Sequence, residues 1–135
     1  MRNLQQILKE SKTIAVVGLS SDPAKDSLHV AQYLQQQGYR IIPVNPKEQE
    51  VLGEKAYPDL KSIPERVDIV DVFRRSEATP PIATEAVAIK AKALWLQLGI
   101  ANDEAASTAS HGGLDVVMDK CIMVEHKRLR AQGKI

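Results

Sequence analysis

Thr13-Ile14-Ala15-Val16-Val17-Gly18-Leu19-Ser20-Ser21-Asp22-Pro23-Ala24-Lys25-Asp26-Ser27 is the stretch on which the reading of this chain turns. Its opening run, rich in β-branched residues and free of polar alternation, reads as a strand covered on both faces. Gly18 to Asp26 is a loop of small and polar residues, and Asp26 or Ser27 stands where a helix N-cap is needed. The helix that follows turns Val30, Ala31 and Leu34 inward and stops at Gly38. Strand, glycine turn and helix in that order form the unit from which parallel sheets are wound.

The same alternation extends in both directions. Leu4, Ile7 and Leu8 lie a helical turn apart and predict a short opening helix. Ile41-Ile42-Pro43-Val44 is a second strand, whose proline weighs against a central place in a sheet. Asn45-Pro46 ends it, and Gln49 to Pro64 reads as an irregular surface wrap. Val67 to Phe73 is a third strand, Ala93 to Leu98 a fourth and Val116 to Met118 a fifth. Between them, Pro80-Pro81 opens a helix with Ile82, Ala86 and Ile89 on its inner stripe. Asn102 caps another, with Asp103 and Glu104 in the first turn and Gly112-Gly113 at its end. Ile122 to Arg130 is a closing helix. The pattern predicts an α/β fold: a Rossmann-like, doubly wound parallel five-stranded sheet in a three-layer α/β/α sandwich, with strand order 3-2-1-4-5 or a close relative. Residues 1–135 make one domain, large enough for a core without disulfides.

Composition narrows the function. Eighteen Lys and Arg against 17 Asp and Glu leave a formal charge of +1, without the basic excess of a nucleic-acid binder. No apolar run reaches the length of a membrane span, and Met1 to Gln6 lacks the character of a signal peptide. The single cysteine, Cys121, gives no internal disulfide and no sign of an oxidising compartment. A cytoplasmic protein is expected.

In a doubly wound sheet, ligands bind beyond the carboxyl ends of the strands, which directs attention to four places. After the first strand, Gly18 lets backbone approach a phosphate, Leu19 and Ser20 follow it, and the next helix presents free N–H groups. The segment is not G-x-G-x-x-G. Lys25 and the Ser27 hydroxyl lie in the same turn. After the second strand, Asn45-Pro46-Lys47 stands where an NAD-binding domain carries a carboxylate for the ribose. A lysine there suits a phosphorylated ribose, as in NADP or coenzyme A. Phe73-Arg74-Arg75 closes the third strand, offering a ring and guanidinium groups, one of which can instead pair with Glu77. On the fourth strand Trp95 belongs to the core, and Gln97 is a polar residue that needs a partner or faces the cleft. His29, His111 and His126 show no metal spacing with Cys121, which reads as a small buried residue. No nucleophile, base or metal motif forms a catalytic set.

Taken in order, these residues resemble the stand-alone CoA-binding-domain proteins, small bacterial and archaeal relatives of the CoA-binding domain of the succinyl-CoA synthetase α subunit. The matching stretches are Ala15 to Ser20 with Pro23, Lys25 and Ser27; Gly38-Tyr39 with Pro43 to Pro46; Asp68 to Arg74; Leu94 to Gly99; and Val116 to Asp119 with Cys121. The resemblance implies coenzyme A, or an acyl-CoA, across the carboxyl edge of the sheet. Gly18, Leu19 and Ser20 would hold the pyrophosphate, Lys25 would add charge, and Asn45, Pro46 and Lys47 would border the adenosine, with Lys47 on the ribose phosphate. Phe73 and Arg74 would flank the nucleotide or pantetheine arm, and Gln97, Gly99 and Ile100 would lie along the cleft floor. Asp26, where relatives often have proline, would weaken the hold of Lys25 on phosphate.

The synthetase works through a second domain with a phosphorylatable histidine, which this sequence does not contain, so binding without synthetase chemistry is expected. A small NADP- or nucleotide-dependent enzyme and an interaction protein with a vestigial cleft are the alternatives. A protein partner or homo-oligomer stays open. Gly18→Val is expected to block the ligand while sparing the fold.

Overall fold

Reciprocal capping opens the chain: the Asn3 side chain accepts from the Gln6 N–H and the Gln6 side chain from the Asn3 N–H, starting α1 (Leu4–Glu10). The structure, a computed structural model, describes residues 1–135. β1 (Thr13–Val17), α2 (Asp26–Gln36) and β2 (Arg40–Val44) follow. The stretch read as irregular holds a small antiparallel hairpin, β3 (Glu50–Val51) and β4 (Glu54–Lys55), and a 3₁₀ turn at Leu60–Ser62. β5 (Ile69–Val72), α3 (Thr79–Ala88), β6 (Ala93–Leu96), α4 (Asp103–His111), β7 (Asp115–Val117) and α5 (Ile122–Ala131) complete it.

The sheet is five-stranded and parallel throughout, in the order β2-β1-β5-β6-β7. Counting only its own strands, that is 2-1-3-4-5, so the expected 3-2-1-4-5 gives way to the related order in which the third strand crosses back to the far side of β1. Pro43 explains the outcome. Its carbonyl faces outward and accepts from the Tyr57 N–H at 3.0 Å, so its donor-less nitrogen also lies on the outer side, a geometry open only to an edge strand.

Alternation along each strand divides the core in two. Ile14, Val16, Ile69, Ala93 and Trp95 pack under α1, α2 and α5, against Ile7, Val30, Leu34, Ile122 and Leu129. Ala15, Val17, Val70, Val72, Leu94 and Leu96 pack under α3 and α4, whose facing residues Ala83, Ala86, Ala105 and Ala109 are all small. The sandwich thus has the three layers expected. No helix is long and apolar enough to cross a membrane.

One cap differs from expectation. Lys25, not Asp26 or Ser27, occupies the N-cap of α2 and makes no side-chain cap bond. Ser27 lies inside the first turn, where its Oγ accepts from the Ser20 N–H at 3.1 Å and so braces the turn. Asn102 caps α4 as its sequence position indicates, accepting from the Ala105 N–H.

Candidate functional site

The reversal of winding now falls between β1 and β5, and the loops after these two strands meet there. Gly18 has φ +89°, and a Cβ at this position would stand 2.4 Å from the Phe73 carbonyl oxygen. Its own N–H is taken by the Val44 carbonyl at 2.8 Å. Glycine is therefore favoured by the close passage of the chain after β5, and Gly18→Val is expected to strain the fold rather than spare it.

Several of the expected ligand contacts are instead used to build the turn. The Leu19 side chain is fully buried in the core, and its carbonyl accepts from Asn45 Nδ2 at 3.1 Å. Asn45 Oδ1 accepts from the Lys47 N–H at 3.0 Å, so this buried amide ties the loop after β1 to the loop after β2. Ser20 Oγ accepts from the Asp22 N–H. What this frame leaves facing outward is the start of α2, where the Asp26 and Ser27 N–H groups have no acceptor and that of Leu28 is taken by the Lys25 carbonyl at 3.3 Å, and a set of cations. Lys25, Lys47 and Arg74 line one cleft of ≈ 410 Å³ with Gly18, Ser20, Ser27, Asn45, Phe73 and Asp26. None of the three cations is within ion-pair distance of a carboxylate. Arg75, in contrast, is highly exposed and pairs with Glu77 at 3.4 Å, the alternative its sequence position left open.

Two hollows adjoin this cleft. Pro46 and Arg74 border one of ≈ 200 Å³ with Pro58, Asp59 and Ile82. Phe73 and Asp26 border another, of ≈ 350 Å³, with Gln97, Ile100 and Cys121. Gly99 lies in a shallow depression beside Arg74 and Ile100, its N–H held by Asp119 Oδ1 at 2.7 Å.

A family model described as a CoA binding domain matches residues 12–127. The chain belongs to the CoA-binding domain family. Similar to this CoA-binding domain is an uncharacterized protein of Bacillus subtilis, YneT, 47% identical over 123 residues with 91% of each chain covered. A solved Thermus thermophilus protein, cell-free ID.343, is 43% identical, with a TM-score of 0.89 over 95% of this chain and 99% of that one. The alpha subunit of the ADP-forming acetate–CoA ligase II of Pyrococcus furiosus is 47% identical over 57 residues, 42% of this chain and 12% of the subunit.

Two features of this CoA-binding domain were not read from its sequence, one at the site and one beneath it in the sheet. Leu98, Met123 and Val124 join the hollow under Phe73, and Cys121, expected to be buried, is half-exposed there. The signal was present as apolar residues at the exposed start of α5. The second feature is Asp71, which lies in register with Val16 and Trp95 at the centre of the sheet. It is 0% exposed, and neither carboxylate oxygen has a hydrogen-bond partner. Burial pushes its carboxyl well above the usual carboxylate range.

Proposed function

We propose that the protein binds coenzyme A or an acyl-CoA across the carboxyl edge of its sheet, as a single domain that acts as a binding or regulatory module. The observation that carries the reading is the convergence of Lys25, Lys47 and Arg74, free of carboxylate partners, on the start of α2 in a domain of this family. A polyanion is what such a cleft suits: cations supply charge-assisted bonds, and a helix N-terminus supplies N–H groups and a favourable dipole.

In this reading Arg74, Lys25 and the start of α2 meet the pyrophosphate. Lys47 meets the phosphate on the ribose, and Pro46 borders the adenosine. Gly18, Leu19, Ser20, Ser27 and Asn45 contribute mainly by holding the turn in shape, since their polar groups bond to one another and to the backbone. Phe73 separates the nucleotide from the arm, which runs past Gly99 and Ile100 toward Gln97.

Titration calorimetry with CoA, dephospho-CoA and NADPH tests the reading. CoA binds tightest, and dephospho-CoA loses about 1.5–3 kcal/mol through its missing bond to Lys47. Equal affinities for CoA and dephospho-CoA would remove Lys47 from the ribose phosphate. Tighter binding of NADPH than of CoA would replace the ligand altogether.

A further inference from the structure

The hollow under Phe73 differs in chemistry from the cationic cleft it adjoins. Val30, Phe73, Leu98, Ile100, Met123 and Val124 give it an apolar lining. Leu98 and Val124 are 69% and 52% exposed at its rim, which is unusual for large aliphatic side chains without a covering group. Phe73 and Asp26 are shared with the cationic cleft, so the two form one continuous path rather than separate sites.

Asp26, His29 and Gln97 interrupt the lining, and of these only Gln97 is buried. Gln97 is only 4% exposed. Its Oε1 accepts from the Ile122 N–H at 3.1 Å, which fixes the orientation of the amide and reserves its NH₂ donor for whatever enters. A donor without a protein partner, on a residue that lines an apolar pocket, suits an acceptor on the ligand.

We propose that this pocket takes the acyl group of a short- to medium-chain acyl-CoA, with the Gln97 NH₂ donating to the thioester carbonyl. The inference rests on the CoA reading above and deepens it: the ligand is the thioester rather than free CoA. The pocket is at the small end of ligand sites. At about 30 Å³ per water-sized group, ≈ 350 Å³ holds roughly a dozen non-hydrogen atoms. That accommodates the sulfur, the end of the arm and an acyl chain of about four to eight carbons. The continuity with the cationic cleft is what selects this occupant over a protein segment or a second copy of the chain.

The test is calorimetry of the whole chain with CoA, acetyl-CoA, butyryl-CoA and octanoyl-CoA, repeated on Val124→Asp. This substitution places a charge at the pocket rim, in the first turn of α5, where an acid suits the helix. In the unaltered protein, affinity rises about twofold to fourfold per added methylene, the range set by partial to full burial. In Val124→Asp the rise along the series disappears, whatever the affinity for CoA itself. If CoA binds but affinity is flat or falls along the series, the acyl proposal is overturned and the CoA reading stands. A rise that persists in Val124→Asp overturns the placement of the acyl group in this pocket. Failure of every compound to bind, CoA included, overturns both readings.

Discussion

Arg2 and Arg40 at the amino end of the sheet and Lys25, Lys47 and Arg74 at its carboxyl end are treated in opposite ways. At the amino end, Arg2 bonds Asp115 at 2.7 Å and Glu10 at 3.0 Å, and Arg40 bonds Glu65 and Glu54, each at 2.8 Å. Arg40 in turn holds the Glu65 carboxyl below its ordinary range through that hydrogen bond. At the carboxyl end, Lys25, Lys47 and Arg74 share a cleft and none forms an ion pair. Similar residue types therefore serve the fold at one end and remain available for an anion at the other. The positions of the carboxylates, not of the cations, make the difference.

Five substitutions break or sharpen that contrast. The largest effect is expected from Gly18→Val. It drives a side chain into the Phe73 carbonyl at positive φ and costs about 3 kcal/mol or more. Urea unfolding measures it, and a variant of unaltered stability would show that the contact yields easily. Next, Lys47→Ala and Arg74→Ala should each weaken CoA binding by about 1.5–3 kcal/mol. Their unfolding midpoints should stay within about 0.5 kcal/mol of the parent. Wild-type CoA affinity in both would mean the cations answer to something else.

Asp71 represents a third treatment of charge, a carboxyl buried without any partner. Asp71→Leu should stabilise the protein by about 2 kcal/mol at pH 7. The sign follows from burial. The folded chain retains the Asp71 proton where the unfolded chain, with an ordinary carboxyl near 3.8, has lost it, so rising pH favours the unfolded state. The advantage of the variant should therefore shrink as pH is lowered toward about 4. A gain independent of pH would mean that the carboxyl has a partner in solution. The smallest effect is expected from Arg40→Ala, which should lower stability by only about 0.5–1 kcal/mol because the network is largely solvent-facing. It should leave CoA affinity unchanged, and a matching loss of affinity would undo the contrast between the two ends.

The strands were legible because burial on both faces leaves an unbroken apolar run, as in Ile14 to Val17 and Ala93 to Leu96. Their order was less so, since order depends on which way the chain crosses after β2. Pro43 carried part of that information, fixing β2 at an edge. At the site, sequence position brought Lys25, Lys47, Phe73 and Arg74 to one cleft, because the rule for the carboxyl edge of wound sheets needs only strand ends. What each polar group does there was not legible. Gly18, Ser20 and Asn45 carry the right chemistry for a ligand, yet they spend it on the turn, a matter of angles that residue types do not reveal. The apolar pocket was missed because Met123 and Val124 reach it from a helix far along the chain, where an amphipathic pattern reads simply as core and surface.

The Tyr57 backbone lying against the outer side of β2 has an effect on how copies of this chain can associate. Its N–H takes the Pro43 carbonyl and its carbonyl takes the Asn45 N–H, at 3.0 and 2.9 Å. Together with the missing donor of the proline, this occupies the carboxyl-end half of that flank and shortens the template it offers to a strand from another molecule. Strand addition by another chain along β2 is thereby disfavoured.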